Sequence, residues 1–414
     1  MYSSIVIALA ALPFLVGAVP LENSRRNVLS IPLSKRGPSQ LDLRRLHAGT
    51  HHTMAKLRRG FEAFEQNTGK RHPLSPKHGR SDDHKAPGNV SLTDFHENMW
   101  YGTIQVGTPG KAYSVNIDTG SDNLFLSGPS CQSCQGHAIY DPSNSTTAKD
   151  LGLSVNLTYG PANVIGNVFA DTVNLGGFEA SNGTLVVASD VTANFNATKV
   201  GVDGTLGMGF RGISQLNKPT IFETLVEENQ LEEPVFGLVL AESNSELIIG
   251  GRDHSRYKGD LVYTPVNGRA GYWLAELDRI TINGNDTQVG TKRAIIDSGS
   301  PFLLGEQNFV ANIYANIPGS ARLNSAESLD YPFWTYPCNT TVNASIFFNN
   351  TPFNISSDNF SLGTLGGGLC VGAFAAFPAS PTYYGYWVIG DNFLRNVYTE
   401  FDYGNIRVGF AQLA

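Results

Sequence analysis

A seven-residue stretch occurs twice in this chain. Val115-Asn-Ile-Asp118-Thr-Gly-Ser121 returns as Ala294-Ile-Ile-Asp297-Ser-Gly-Ser300, 179 residues later. Each copy is followed at nearly the same offset by a second echo. Asp203-Gly-Thr-Leu-Gly207 ends 89 residues past the first Asp, and Trp387-Val-Ile-Gly390 ends 93 past the second. One Asp-Thr-Gly is ordinarily an Asx turn after a strand. Two copies, each with an apolar-apolar-Gly partner, indicate a duplicated lobe, so the fold must contain two like halves.

The repeated unit has a specific chemistry. An apolar strand delivers each Asp to a tight loop. There Gly120 or Gly299 permits close backbone approach, and the small hydroxyls of Thr119, Ser121, Ser298 and Ser300 can bond the loop or the carboxylate. Two such loops meeting about a pseudo-two-fold axis would bring Asp118 and Asp297 close enough to share a proton. Two buried negative charges that near cannot both form readily, which leaves one general acid and one general base around a water.

From Thr93 onward, short β-rich runs are separated by Gly, Pro and Asn turns, as in Gly102-Thr-Ile-Gln-Val-Gly, Tyr113-Ser-Val-Asn-Ile and Glu246-Leu-Ile-Ile-Gly. Helical patterns there are few, the best being Ile221 to Asn229 and Glu306 to Asn316. The expected class is mostly β.

At this point the chain resembles the pepsin-like family of aspartic proteases, over Asn98 to Ala414. Besides the two Asp loops, the likeness rests on Trp100-Tyr-Gly-Thr-Ile-Gln-Val-Gly-Thr-Pro109 and Leu157-Thr-Tyr159-Gly160. It also includes Trp387-Val-Ile-Gly-Asp-Asn-Phe-Leu-Arg395, Phe401-Asp-Tyr-Gly404 and Val408-Gly-Phe410. More weakly, Val28-Leu-Ser-Ile-Pro-Leu-Ser-Lys-Arg36 is similar to the opening of pepsinogen-type propeptides. The resemblance implies a bilobal fold of two pseudo-two-fold-related β lobes with the cleft between them, and a flap hairpin bearing Tyr159 and Gly160. It implies that Asp118 and Asp297 activate a water against a peptide carbonyl, with no metal, nucleotide or covalent intermediate. Ser121 and Ser300 match positions that bond the outer oxygens of the dyad, and Thr119 and Ser298 match hydroxyls that cross-link the loops. Implied partners are protein and peptide substrates, the chain's own propeptide as intramolecular inhibitor, and pepstatin-type inhibitors. A monomer without nucleic-acid or membrane association is expected.

The N-terminal part is organised differently. The apolar stretch Ile5 to Val19 is too short to span a bilayer comfortably and reads as a signal peptide, with cleavage after Ala18. Residues 1–89 carry 14 Lys and Arg against 6 Asp and Glu, a balance of +8, and the remainder carries −15. A basic run of this kind is usually a solvated tail or a nucleic-acid patch. Behind a signal peptide, it reads instead as a propeptide held on an acidic body by opposite charge and released when carboxylates on the body become protonated. Lys35-Arg36, Arg58-Arg59 and Lys70-Arg71 are candidate processing sites, and the mature start is expected between about Lys70 and Thr93. The expected division is signal peptide 1–18, basic propeptide 19–90, N-terminal lobe with flap 91–258 and C-terminal lobe 259–414.

Secretion agrees with eleven Asn-x-Ser/Thr acceptors, at Asn89, Asn144, Asn156, Asn182, Asn196, Asn285, Asn339, Asn343, Asn349, Asn354 and Asn359. It also agrees with four cysteines in two sequence-local pairs, Cys131 with Cys134 and Cys338 with Cys370. Three connectivities are possible, and nearness favours this one. A metal or redox Cys-x-x-Cys is disfavoured because no second Cys-x-x-Cys and no His pair at ligand spacing accompany it. The absence of an apolar tail at Ala414 argues against a lipid anchor. By analogy the processing sites and dense acceptors resemble a secreted fungal enzyme, extracellular rather than vacuolar.

Two departures bear on the flap. Pro161 has no N–H to donate to a substrate backbone, and Phe125 stands where many relatives carry a tryptophan that bonds the flap tyrosine. No acidic residue stands at the Pro161 position to favour Lys before the scissile bond, so apolar or aromatic preferences are expected there. The competing readings are a catalytically silent pepsin-fold binding or inhibitor protein, and a two-carboxylate glycosidase. Both intact Asp loops count against the first and the duplication against the second.

Overall fold

The computed structural model describes residues 29–36, 41–75, 99–159, 162–191, 201–241, 244–268, 271–324, 331–378 and 384–414. The expected signal peptide, the mature start after residue 75, Asn89, Asn196, Gly160 and Pro161 lie outside the described residues.

The chain is mostly β and bilobal. Thirteen strands form one long sheet, and sheets of five, four and four strands are built from residues after 273. The Asp-bearing strand β3 (Lys111–Asp118) runs parallel to β8 (Gly204–Gly207), with Asp118 opposite Gly207. β4 (Leu124–Ser127), which follows the Asp loop, is antiparallel to β8 on its other side. The second half repeats this plan. Arg293–Ile296 pairs in parallel with Trp387–Ile389, which is antiparallel to Leu303–Gly305. The second echo of each repeat is therefore the strand wedged between the two arms of its Asp loop. That position explains the apolar-apolar-Gly pattern: both faces are buried, and a Cβ on Gly207 would lie 2.5 Å from the Asp122 backbone nitrogen.

Two indole N–H groups tie the lobes together. Trp273 donates to the Met208 carbonyl at 2.9 Å, and Trp100 donates to Asp391 at 3.2 Å. The helices expected at Ile221 to Asn229 and Glu306 to Asn316 are present as α2 (Ile221–Glu227) and α3 (Gln307–Ala315). α2 starts on a reciprocal cap, Thr220 with Glu223. Disulfides join Cys131 to Cys134 and Cys338 to Cys370. The 32-residue separation of the second pair gives a loop whose closure restricts the unfolded chain by roughly 3–4 kcal/mol.

The described residues of the basic N-terminal part form a strand and a long helix. β1 (Leu29–Arg36) inserts into the long sheet between β10 (Ser245–Ile249) and β2 (Met99–Val106), antiparallel to both. α1 (Leu43–Thr68) follows, 26 residues long. Asp42 caps its start by accepting from the Arg44 N–H, and Gly69, with φ +66°, ends it in the left-handed region. Leu46, Met54, Leu57, Phe61 and Phe64 recur at helical spacing. They bury against Ile213, Tyr272, Phe302 and Phe333 of the body. A fully buried side chain such as Leu57 contributes about 2 kcal/mol. Opposite charge is thus one part of the attachment, and an apolar helix face is another.

Candidate active site

The two Asp loops meet at the junction of the lobes and are stitched together with two-fold symmetry. Thr119 Oγ1 donates to the Ile296 carbonyl at 2.9 Å and accepts from the Ser298 N–H at 2.9 Å. Ser298 Oγ donates to the Ile117 carbonyl at 2.8 Å and accepts from the Thr119 N–H at 3.1 Å. Each hydroxyl thus bonds the strand that carries the opposite Asp. Gly120 N–H donates to Asp118 Oδ1 at 2.9 Å, and Gly299 N–H to Asp297 Oδ1 at 3.0 Å.

The glycines are required by close approach. A Cβ on Gly120 would fall 2.3 Å from Asp297 Oδ1, and one on Gly299 would fall 2.2 Å from Asp118 Oδ1. Each loop therefore leaves room for the carboxylate of the other. Both Asp residues are buried, at 2% and 0% exposure.

The site is occupied by the chain itself. Lys56 of α1 places Nζ 2.8 Å from Asp118 Oδ1 and 2.8 Å from Asp297 Oδ1, with its side chain fully buried. Burial alone would lower the pKa of Lys56, but the two carboxylates overcome that and raise it. Burial likewise pushes Asp118 up. The charge of Lys56, its hydrogen bond and the Ser121 hydroxyl beside it prevail and hold Asp118 at about 2. Asp297 is pushed up to about 6 by burial and by the negative charge of Asp118, against the pull of Lys56. The pair is thus split, one acid low and one high.

The remaining expected residues are placed as follows. Ser300 Oγ accepts from Thr53 of α1 at 3.3 Å. Tyr159 ends β5 (Lys149–Tyr159) and pairs with Ala162 at the head of β6 (Ala162–Leu175), which runs antiparallel to it. α1 also lies against β5. Phe125 is buried among Leu157, Val164 and Val186 at the base of this hairpin. Cys131 and Cys134 belong to the same cluster, away from the dyad.

Sequence reasoning missed Lys56, Thr53 and Tyr272. Tyr272 is fully buried, and its hydroxyl donates to the Leu57 carbonyl at 3.1 Å. The spacing of Leu46, Met54, Leu57, Phe61 and Phe64 could have revealed α1, but nothing local distinguishes Lys56 from its basic neighbours. No group of three or more His, Cys, Asp or Glu side chains able to hold a metal occurs among the described residues. No helix among them is long and apolar enough to cross a membrane.

Comparison with known proteins agrees with this geometry. The family model for eukaryotic aspartyl proteases matches residues 99–413. An aspartic protease of Phaffia rhodozyma is 32% identical over 333 residues, covering 79% of this chain and 80% of its own. Rhizopuspepsin of Rhizopus chinensis is 28% identical over 99% of this chain and 98% of its own. Pepsin A of Sus scrofa is 29% identical over 79% and 84%. Two Asp-centred loops that each shape the other, on a duplicated β scaffold matched along this length, place the chain in the eukaryotic aspartyl protease family as an aspartic-type endopeptidase.

Proposed function

We propose that this chain is the precursor of a secreted aspartic endopeptidase that hydrolyses peptide bonds at acidic pH, with Asp118 and Asp297 as its catalytic dyad, and that it is made as a self-inhibited zymogen. The observation that carries the reading is the position of Lys56. One ammonium, fully buried, bonds both carboxylates at 2.8 Å and occupies the place where a reacting peptide must lie. With Lys56 withdrawn, two buried carboxyls that near share a proton and titrate as a unit. The ionised member takes a proton from water as the oxygen attacks the peptide carbonyl. The neutral member donates toward the carbonyl oxygen, and a proton is passed to the leaving amine as the tetrahedral diol collapses.

Thr119, Gly120, Ser298 and Gly299 hold the two carboxyls in register, with Ser121 and Ser300 beside them, and Tyr159 and Gly160 belong to the hairpin that covers a bound peptide. In this reading residues 19–90 are the propeptide, and 91–258 and 259–414 the two lobes. Secretion is supported by the leader-like Ile5 to Val19 stretch, by the two disulfides and by the exposure of Asn144, Asn156, Asn182, Asn285, Asn339, Asn343, Asn349 and Asn354.

The test is digestion of a denatured protein by the acid-treated precursor between about pH 2.5 and 7, with and without pepstatin, beside Asp118→Asn. Acid-dependent cleavage that pepstatin abolishes, and that the substitution lowers at least about 10³-fold, is expected. A processed, folded protein that cuts nothing at any pH would favour the silent binding-protein reading.

A further inference from the structure

Six of the chain's nine histidines lie in its basic N-terminal part: His47, His51, His52, His72, His78 and His84. Of the four among the described residues, His47, His51 and His52 are half-buried along α1. His72 is only 2% exposed, and neither the dyad nor its contact with Lys56 uses it.

Past the Gly69 cap the chain turns back onto the end of α1. The His72 ring stacks on Phe61, with centroids 4.3 Å apart and 22° between the planes. It meets Phe64 and Tyr272 edge-on at 4.9 and 5.6 Å. The Leu74 N–H donates to His72 Nδ1 at 3.1 Å, and the Ser75 N–H donates to the His72 carbonyl at 2.9 Å. Leu74 itself is 2% exposed and belongs to the apolar cluster that holds Phe61 and Phe64. One imidazole thus fixes the turn of residues 72–75 both to the helix and to the body.

The geometry sets the protonation state of that ring. A backbone N–H can only donate, so Nδ1 carries no proton and the imidazole is neutral, with its hydrogen on Nε2. Protonation at Nδ1 would set two donors against each other at 3.1 Å and place a charge where little water reaches it. An imidazolium keeps some attraction to the aromatic faces, but that does not replace the lost acceptor. Facing His72 are Phe61 and Phe64 of α1 and Tyr272 of the body, with the Tyr386 ring on the far side of Phe61. The Tyr272 phenol is neutral, held well above its ordinary range by burial, and is engaged with the Leu57 carbonyl. The charges that act on this phenol are Arg59 of α1 and, more weakly, Asp122 and Asp297. Lys70 and Arg71 precede His72 in the chain, and Glu62 and Glu65 of α1 are exposed.

We infer that His72 is an acid sensor of the precursor, whose protonation unpins the turn of residues 72–75 from α1 and Tyr272 as a first opening, ahead of the release of Lys56. The inference rests on the zymogen reading above. Neutral His72 favours the docked turn above about pH 6.5, the ordinary histidine value, and this contribution is lost as pH falls below it. The contribution of Asp118 at Lys56 is lost only from about pH 4 toward about 2. Opening therefore has two stages, a turn that loosens in mild acid and a helix that stays until stronger acid. The exposed Lys70-Arg71 pair lies between the Gly69 cap and His72, so the first stage frees the backbone that a processing protease must draw out.

The test times trypsin cleavage after Lys70 and Arg71 in the full-length precursor, with pepstatin present to stop self-cleavage. Each rate is divided by that of a free peptide of residues 66–75, which removes the pH dependence of trypsin. The normalised rate is expected to rise about tenfold from pH 7 to pH 5 and to lose that rise in His72→Asn, whose side-chain oxygen can accept from Leu74 but cannot take up a proton. No rise in the natural chain, or an equal rise in His72→Asn, overturns the sensor. Should His72→Asn be cut rapidly at both pH values, the histidine carbon resonances of the labelled natural precursor decide. The His72 ring must still be neutral at pH 6, and a charged ring there overturns the inference. Failure of the precursor to process itself at any pH would count against the peptidase reading alone, since trypsin supplies the cut in this assay.

Discussion

At the residue scale the intact site turns on Lys56, and its two carboxylates respond to acid in opposite senses. Asp297 is raised to about 6, so the folded chain takes up this proton before an unfolded chain would. That group favours the folded, docked state increasingly as pH falls from about 6 to about 4. Asp118 is depressed to about 2 from an ordinary 3.8. Its contribution is fully present above the ordinary value and is lost as pH falls through the folded one. Release of Lys56 by acid is accordingly favoured as pH falls from about 4 toward about 2, the range over which the contribution of Asp118 is lost. Lys56→Met would leave two buried carboxylates without their cation, at a cost of about 3 kcal/mol to the docked state. The expected outcome is self-cleavage already at pH 5 to 6, followed as a time course of precursor loss on a gel. A variant that stays intact until the wild-type pH would remove Lys56 from the latch. None of this was legible in the sequence. Asp118 and Asp297 could be found because their chemistry demands a repeated motif, whereas Lys56 is one of 14 basic residues whose destination only the packing of α1 decides.

At the element scale the informative contrast is between α1 and the strands around the dyad. Those strands were readable because each carries a period-two or fully apolar run ending in a loop with an obligatory glycine. α1 was obscured by its own charge, although Asp42, Gly69 and the spacing of Leu46, Met54, Leu57, Phe61 and Phe64 mark a capped amphipathic helix. Gly60, in the middle of that helix, looks like a weakness, since Ala there would favour the helix by about 1 kcal/mol. Its reason lies across the interface, 1.8 Å from its missing Cβ, in the phenol of Tyr272. That phenol is fully buried and already committed to the Leu57 carbonyl. Gly60→Ala should therefore loosen the docked helix despite its better propensity, by about 1–2 kcal/mol from overpacking. Measured at pH 4, the variant precursor is expected to process itself several-fold faster than wild type. Slower processing would show that helix propensity outweighs the contact.

At the scale of the whole molecule the sequence offered a simple electrostatic picture, a +8 segment on a −15 body. The mostly-β class, the duplication and the disulfide pairs were legible from local pattern and spacing, and the two-lobed arrangement and the position of the hairpin from the family resemblance. The way the basic segment is held was not, because net charge says nothing about which cations are buried. Two attachments are internal: β1 sits inside a thirteen-stranded sheet, and Lys56 is fully buried. Salt screens exposed charges over about 8–10 Å but reaches buried pairs poorly. Raising sodium chloride to about 0.5 M should thus change the self-cleavage rate at pH 4 by less than about twofold. A tenfold acceleration would return the weight to surface charge.

The reciprocal glycines and hydroxyls of the two Asp loops have a consequence for how such a site can vary. Everything one loop gives, it receives back: Thr119 and Ser298 exchange bonds, and Gly120 and Gly299 make room for each other's acid. A single half paired with an identical copy would therefore contain every part needed to build the junction. What joining the halves in one polypeptide adds is licence to differ. Two identical copies must present the same surroundings to both acids, whereas here Lys56, Ser121 and burial set Asp118 and Asp297 apart. The price of symmetry is sameness, and the covalent link between the halves is what lets one carboxyl be a poor proton holder and its twin a good one.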